Sequence, residues 1–320
     1  CEPQKLDAFL HLIDLDHEYR IDGGSKHRGF RIQEPGLPIC LIAQIQRSGG
    51  SLCAKLFDNH SQVLAYPHEL YINHRDEMVW PEFDPSIRDA NEIFALLMAG
   101  HAHEVLKFLE EGYQKYGTKT QSQRWPFLYS INLHFSIFEE LFVQIPSLTT
   151  RNIIDAFMVS FFDAWLDYQQ RYEGNKRIIT AFAKRHNWPD QANNFFKQYP
   201  DGYMINIVRN PLNWFSSAKK HSKSYQNIED AIGQWYESTH NTLKGKKLRS
   251  DRTILLSFED LIKNTEFKMR EVADFLGIDW EQSLAEPTFN GMQLPSNSSF
   301  EPVFGIDHAT LTRSSSELSQ

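Results

Sequence analysis

Three cysteines in 320 residues, Cys1, Cys40 and Cys53, are too few and odd in number for a disulfide frame, and some lie in apolar runs. That absence suggests a reducing compartment. No apolar run is long enough to cross a membrane, and no signal peptide is recognisable. The expected location is therefore the cytoplasm, or the Golgi lumen where a membrane anchor has been removed. There is no surplus of positive charge: 33 Lys and Arg stand against 41 Asp and Glu, a formal net charge of −8. Such a balance argues against nucleic acid as a partner and leaves any anion to a local site. No internal repeat is present, and the only low-complexity stretch is the tail around Ser314 to Gln320. The loop pattern of ATPases and GTPases, G-x-x-x-x-G-K-[ST], is missing as well. What remains, 41% hydrophobic and 23% charged residues, fits a globular chain long enough to bury a sizeable core.

Most informative is the stretch Leu37 to Asn59, LPICLIAQIQRSGGSLCAKLFDN. Its apolar start, Leu37–Ile45, suits a strand buried on both faces of a parallel sheet. After Gln46-Arg47-Ser48-Gly49-Gly50-Ser51 the spacing becomes helical, with Leu52 and Leu56 on one face and Cys53 and Phe57 beside them. Strand, glycine turn and helix start make an anion site, because glycines let the backbone approach and helix N–H groups face a phosphate. Arg47 adds a fixed cation, and Ser48 and Ser51 add hydroxyl donors. The cation precedes the glycines, and Lys55 lies one turn into the helix, unlike the ATPase arrangement.

Five apolar runs read as strands: Leu37–Ile45, Val63–Tyr66, Arg177–Ala183, Tyr203–Val208 and Thr253–Phe258. Helical patterns separate most of them, which predicts a three-layer α/β domain around a parallel sheet of about five strands. About 110 residues between the second and third runs read as helices, too many for a simple crossover. They predict a helical cap insertion, about residues 70–175, over the carboxyl edge of the sheet, within a single domain spanning 1–320. Ile153, Ile154, Phe157, Phe161, Trp165 and Tyr168 form one apolar stripe in it, and Val105, Leu106 and Leu109 another. Trp125, Phe127, Tyr129 and Phe135 either line an acceptor pocket or form the cap's own core, the latter being the expectation for most of them.

A second constellation follows the run Tyr203–Val208. Arg209 stands where that strand ends, Asn210 is a strong helix cap, and Pro211 suits a first helical position. Open α/β sheets bind ligands at this edge. Ser217, eight residues after Arg209, lies about two helical turns along and completes an Arg–hydroxyl pair for a second phosphate.

Taken together, Arg47-Ser-Gly-Gly-Ser51, Arg209-Asn-Pro with Ser217, and Phe258-Glu-Asp-Leu261 resemble the sulfotransferase family, which uses 3′-phosphoadenosine 5′-phosphosulfate (PAPS) and releases 3′-phosphoadenosine 5′-phosphate (PAP). The first motif is similar to the family's 5′-phosphosulfate loop, [KR]-S-G-T-T/S, with Gly50 in place of the usual Thr. The second is similar to its 3′-phosphate motif and the third to its Y-E-D-L segment, followed by a helix ending at Phe275-Leu276-Gly277. Ser296-Asn297-Ser298-Ser299-Phe300 resembles a late loop that closes over the nucleotide. The resemblance implies a P-loop-like fold and a cofactor site of Arg47, Ser48, Gly49, Gly50, Ser51, Leu52, Arg209, Ser217, Asn297 and Ser298. The implied reaction is in-line sulfuryl transfer to an acceptor hydroxyl with a general base. No metal is needed by this logic, and no clustered metal-ligand pattern is visible.

The base is expected where Val63–Tyr66 delivers Pro67-His68-Glu69. Ungapped spacing from Arg47 in the resemblance falls on His68, one gap places it on Glu69, and residue type favours Glu69; His134 and His221 are weaker candidates. Lys184, 25 residues before Arg209, stands where a family lysine neutralises the leaving phosphate, although the usual K-T-P is replaced by Ala183-Lys184-Arg185-His186. The acceptor, whether sugar, lipid, metabolite or tyrosine, is not specified by these motifs. Two other readings stay open: a P-loop nucleotide kinase or phosphotransferase, and a catalytically inactive nucleotide-binding protein of the same fold.

Overall fold

Every side chain of β1 (Ile39–Ala43) is buried, because the strand is covered on both faces. Ile39, Leu41 and Ala43 enter one core, while Cys40 and Ile42 enter another. β1 is the middle strand of five, the others being β2 (Val63–Glu69), β3 (Ile178–Phe182), β4 (Tyr203–Val208) and β5 (Thr253–Ser257). Their order is β2-β3-β1-β4-β5 and every pairing is parallel. The computed structural model describes residues 32–70, 83–84, 86–112, 127–183, 189–293 and 303–311.

Nine α-helices are present among the described residues: α1 (Gly50–Phe57), α2 (Ala90–Glu111), α3 (Ile131–Gln144), α4 (Thr150–Ala164), α5 (Pro189–Gln198), α6 (Pro211–His221), α7 (Ile228–Leu248), α8 (Phe258–Lys263) and α9 (Thr265–Leu276). Helices α1, α8 and α9 share one core with Cys40, Ile42, Ile205 and Ile207. Helices α2 to α5 share the other with Ile39, Leu41, Ala43 and Leu64. The three-layer α/β class expected from the apolar runs is thus the observed one.

In its described part, the insertion is a structural layer packed on the sheet: Phe108, Ile137, Phe157 and Trp165 belong to the same core as β1 and β2. In α4 only Arg151 and Asn152 escape burial. The stripe from Ile153 to Tyr168 is buried as its spacing predicts, and Phe127 and Tyr129 are core residues. Trp125 lies outside the described residues. Leu109 is 40% exposed, since Val105 and Phe108 are the residues of that turn that face inward. Among the described residues, no helix is long and apolar enough to cross a membrane.

An antiparallel hairpin, β6 (Thr288–Phe289) and β7 (Met292–Gln293), was not anticipated. Asn290 and Gly291 form its turn with φ of 49° and 71°, the Asn-Gly signature of a tight hairpin. Asp58, buried at the end of α1, accepts from Thr288 Oγ1 at 2.9 Å and from the Gly291 amide at 2.9 Å. The hairpin is thereby tied to the end of α1. Two substitutions separate core from surface in the insertion. Phe162→Ala, at a fully buried site, should cost about 3–5 kcal/mol in denaturant unfolding. Leu109→Ala should cost less than about 1 kcal/mol.

Candidate active site

Strand order sets the location. From β1 the chain runs towards the β2 side of the sheet, and from β4 it runs to β5 on the other side. A crevice opens where neighbouring strands part in this way, here between the carboxyl ends of β1 and β4. The Arg47 loop leaves one strand and Arg209 leaves the other.

The loop is held in an unusual backbone. Arg47 has φ of 68° and Gly49 φ of 105°, both left-handed. At Gly49 a Cβ would strike the ring of Phe258, and at Gly50 it would strike the Gln44 amide and the Phe182 ring. Gln44, 2% exposed, thus fills the space that a larger side chain at position 50 would need. The Gly49 carbonyl accepts from Cys53 N at 3.0 Å and opens α1. Trp214 Nε1 donates to the Gln46 carbonyl at 2.7 Å, and the Tyr225 hydroxyl donates to Gln46 Oε1 at 3.0 Å.

Arg209 Nη1 donates to the Arg47 carbonyl at 2.9 Å, and Arg47 Nε donates to Ser217 Oγ at 3.2 Å. The first loop and the Arg209–Ser217 pair are therefore one cluster. Arg209 lies 4.4 Å over the Phe258 ring, and its carbonyl accepts from Trp235 Nε1 at 2.9 Å. Asn210 caps α6 through Leu212 N at 3.0 Å, while its own amide donates to Glu259 at 3.1 Å. The Phe258-Glu259 segment thus supports both halves of the site: the ring beneath Gly49 and Arg209, the carboxylate at the start of α6.

Electrostatics suit an anion. Burial lowers the pKa of Arg47. That of Arg209 is lowered to about 10, mainly by burial, with Glu259 opposing the shift and the Arg47 charge adding to it. Among the described residues, no carboxylate forms an ion pair with either guanidinium. Ser48 Oγ and Arg209 Nε are buried without a hydrogen-bond partner. Orphaned donors beside two desolvated cations, in a cavity lined by Arg47, Gly49–Leu52, Arg209 and Ser217, fit phosphate groups.

A second cavity adjoins this one. His68, Glu69 and Tyr66 line it together with Asp58 and Phe289, and Ser51, Lys55 and Phe182 line both. Glu69 is half-buried at the end of β2. There the strand is irregular: Ala65 pairs with Thr180 but Glu69 with Phe182, so four steps on β2 match two on β3. Pro67, which cannot donate to the ladder, sits in that bulge. His68 is packed against Tyr66, Phe108 and Phe161 with ring centroids 4.9, 4.8 and 5.7 Å away. His134 is a core residue, donating from Nε2 to the Phe157 carbonyl at 3.0 Å and bonded at Nδ1 to the Tyr129 hydroxyl at 2.5 Å. Both of its ring nitrogens are thus bonded within the core. His221 is exposed at the end of α6. Lys184, Arg185, Asn297 and Ser298 lie outside the described residues.

Sequence reasoning passed over Gln44, the Trp214, Tyr225 and Trp235 clamps, and the place of Lys55 between the cavities. The apolar run and the helical spacing carried no sign of them; the Trp214 and Tyr225 clamps act on Gln46 from 168 and 179 positions away.

Fold and site together define an α/β protein with two desolvated guanidinium groups at its sheet switch point. The chain belongs to the sulfotransferase family, whose profile matches residues 38–282. Among solved structures it is similar to the sulfotransferase domain of the curacin biosynthetic pathway, with 15% identity over 89% of this chain and 99% of that one and a TM-score of 0.46. The sulfotransferase domain of the Synechococcus PCC 7002 olefin synthase is 18% identical over 89% of each chain, TM-score 0.48. Retinol dehydratase in complex with androsterone and inactive cofactor PAP is 14% identical over 84% of this chain and 65% of that one, TM-score 0.30. No curated protein matches significantly by sequence.

The tight fit around Gly50 gives a test. Gly50→Thr, which restores the residue usual in the motif, should lower stability by about 1–3 kcal/mol through overpacking. Adding Gln44→Ala should recover part of that loss in thermal unfolding.

Proposed function

We propose that this sulfotransferase takes its sulfuryl group from PAPS and passes it to an acceptor hydroxyl by in-line attack. The observation that carries this reading is the single cluster of Arg47, Arg209 and Ser217, joined at 2.9 and 3.2 Å. When bound, PAPS supplies a sulfuryl group already attached to a phosphate leaving group. Arg47, the hydroxyls of Ser48 and Ser51 and the amides from Gly49 to Leu52 suit its 5′ end, where negative charge builds during transfer. Arg209 and Ser217 suit the 3′-phosphate. Lys184 and the Asn297–Ser298 loop keep the roles that the family resemblance gives them.

Glu69 is assigned as the base. It is half-buried in the cavity that shares a wall with the anion site, whereas His68 is enclosed by three aromatic rings. Its carboxylate takes the acceptor proton as the acceptor oxygen bonds to sulfur and the bond from sulfur to the 5′-phosphate oxygen breaks, releasing PAP.

Three measurements test this. PAP should raise the melting temperature strongly, and ATP with magnesium should not. Arg209→Ala should weaken PAP by about 1.5–3 kcal/mol, the scale of a charged hydrogen bond. With labelled PAPS and a panel of acceptors, Glu69→Gln should reduce turnover about 10²–10⁴-fold while PAP affinity is kept. If His68→Gln gives that pattern instead, the base is His68. Stabilisation by ATP with magnesium but not PAP would end the donor assignment.

A further inference from the structure

Lys55 occupies a position that the anion site and the base leave unexplained. It follows Ser51 by one helical turn on α1, so the two side chains share a face. Both line the anion cavity and the acceptor cavity, as Phe182 does from β3. The Lys55 stem is partly exposed, but its ammonium nitrogen is buried. Three residues further on is Asp58, held by Thr288 Oγ1 and the Gly291 amide at 2.9 Å each. A buried cation is thus placed at the border of the two cavities.

A group passed from the Arg47 loop to an acceptor beside Glu69 must cross that border. We propose that the Lys55 ammonium binds the sulfuryl oxygens of the donor, so that the site distinguishes PAPS from PAP. The assignment rests on the donor reading above. Arg47 and Arg209 grip phosphates, which both nucleotides carry, whereas Lys55 stands beyond them, on the side where only PAPS has a charged group. Burial pushes the Lys55 pKa down to about 8, and the Asp58 charge opposes the shift. The other charged or titratable groups lining the two cavities are Tyr66, His68 and Glu69 from β2, Asp307 from the 303–311 segment, and Arg47 and Arg209. As pH rises through about 8 the ammonium loses its proton, so the preference for PAPS is present below that pH and lost above it.

Calorimetric titration of the whole chain with PAPS and with PAP, without acceptor, tests this. At about pH 7.5 the wild type should prefer PAPS, and Lys55→Met should lower that preference about tenfold or more while its PAP affinity and melting temperature hold. Between about pH 7.5 and 9.5 the wild-type preference should fall about tenfold or more, and the Lys55→Met ratio should stay flat. An unchanged PAPS-to-PAP ratio in Lys55→Met, or a wild-type ratio independent of pH, overturns the role of Lys55 and leaves the donor reading intact. Failure of the wild type to bind either nucleotide overturns the donor reading and this assignment with it.

Discussion

Arg209 donates to the backbone of Arg47 in a site where burial already disfavours both charges, and this juxtaposition of cations constrains everything around it. A desolvated guanidinium is costly unless its donors are met and its charge is answered. Among the described residues the answers are partial. Phe258 offers a ring face, Ser217 an oxygen and the Arg47 carbonyl another, while Arg209 Nε stays unpaired. A protein that needed only stability would place a carboxylate here. Glu259 is the near candidate, yet it is spent on Asn210 and Asn213. The arrangement is coherent once an external anion completes it, since ligand phosphates are then the missing counter-charge.

The loop's backbone carries the same logic. A non-glycine residue in the left-handed region costs on the order of 1–3 kcal/mol and persists only where its surroundings dictate it. Around Arg47 they do. Trp214 and Tyr225 fix Gln46 on one side, and Phe258 leaves room only for a glycine at 49 on the other. Trp235 then holds the Arg209 carbonyl. Two helices from the β4 side of the sheet thus brace a loop from β1, and the positions of Arg47 and Arg209 are set together. Preorganised donors of this kind need little rearrangement when charge develops on a leaving group.

The sheet, its parallel sense and the Arg47–Arg209–Ser217 cluster were legible because each has a local signature: continuous apolar runs, a glycine turn, and an Asn-Pro helix start. Their convergence in one crevice follows from topology, which alternating strands and helices imply. The placement of the insertion was less legible. Its helices read as amphipathic, but periodicity says which face is buried and not against what, so the core they share with β1 and β2 could not be read from it. Leu109 shows the same limit at one residue, since Val105 and Phe108 satisfy the turn's inward positions without it. The Asn290-Gly291 hairpin signal stood in the sequence and passed unread, because its strands are two residues each and carry no alternation. The tie from Asp58 to that hairpin spans more than 200 positions, with separations of 230 and 233, beyond any local pattern.

The second cavity depends on departures from regular structure. The bulge at Pro67 sets where Glu69 stands at the end of β2, and the Asn290-Gly291 turn brings Phe289 to the opposite wall. The first cavity is built at strand ends and helix starts, from the Arg47 loop, Arg209 and Ser217. The second takes in the bulge and the hairpin, and it is continuous with the core: Phe289 is buried, stacks on Phe108 with ring centroids 5.5 Å apart and belongs to the same cluster as β1. A change in the hairpin therefore reaches the insertion's helices, and Ser51, Lys55 and Phe182, which line both cavities, link the two.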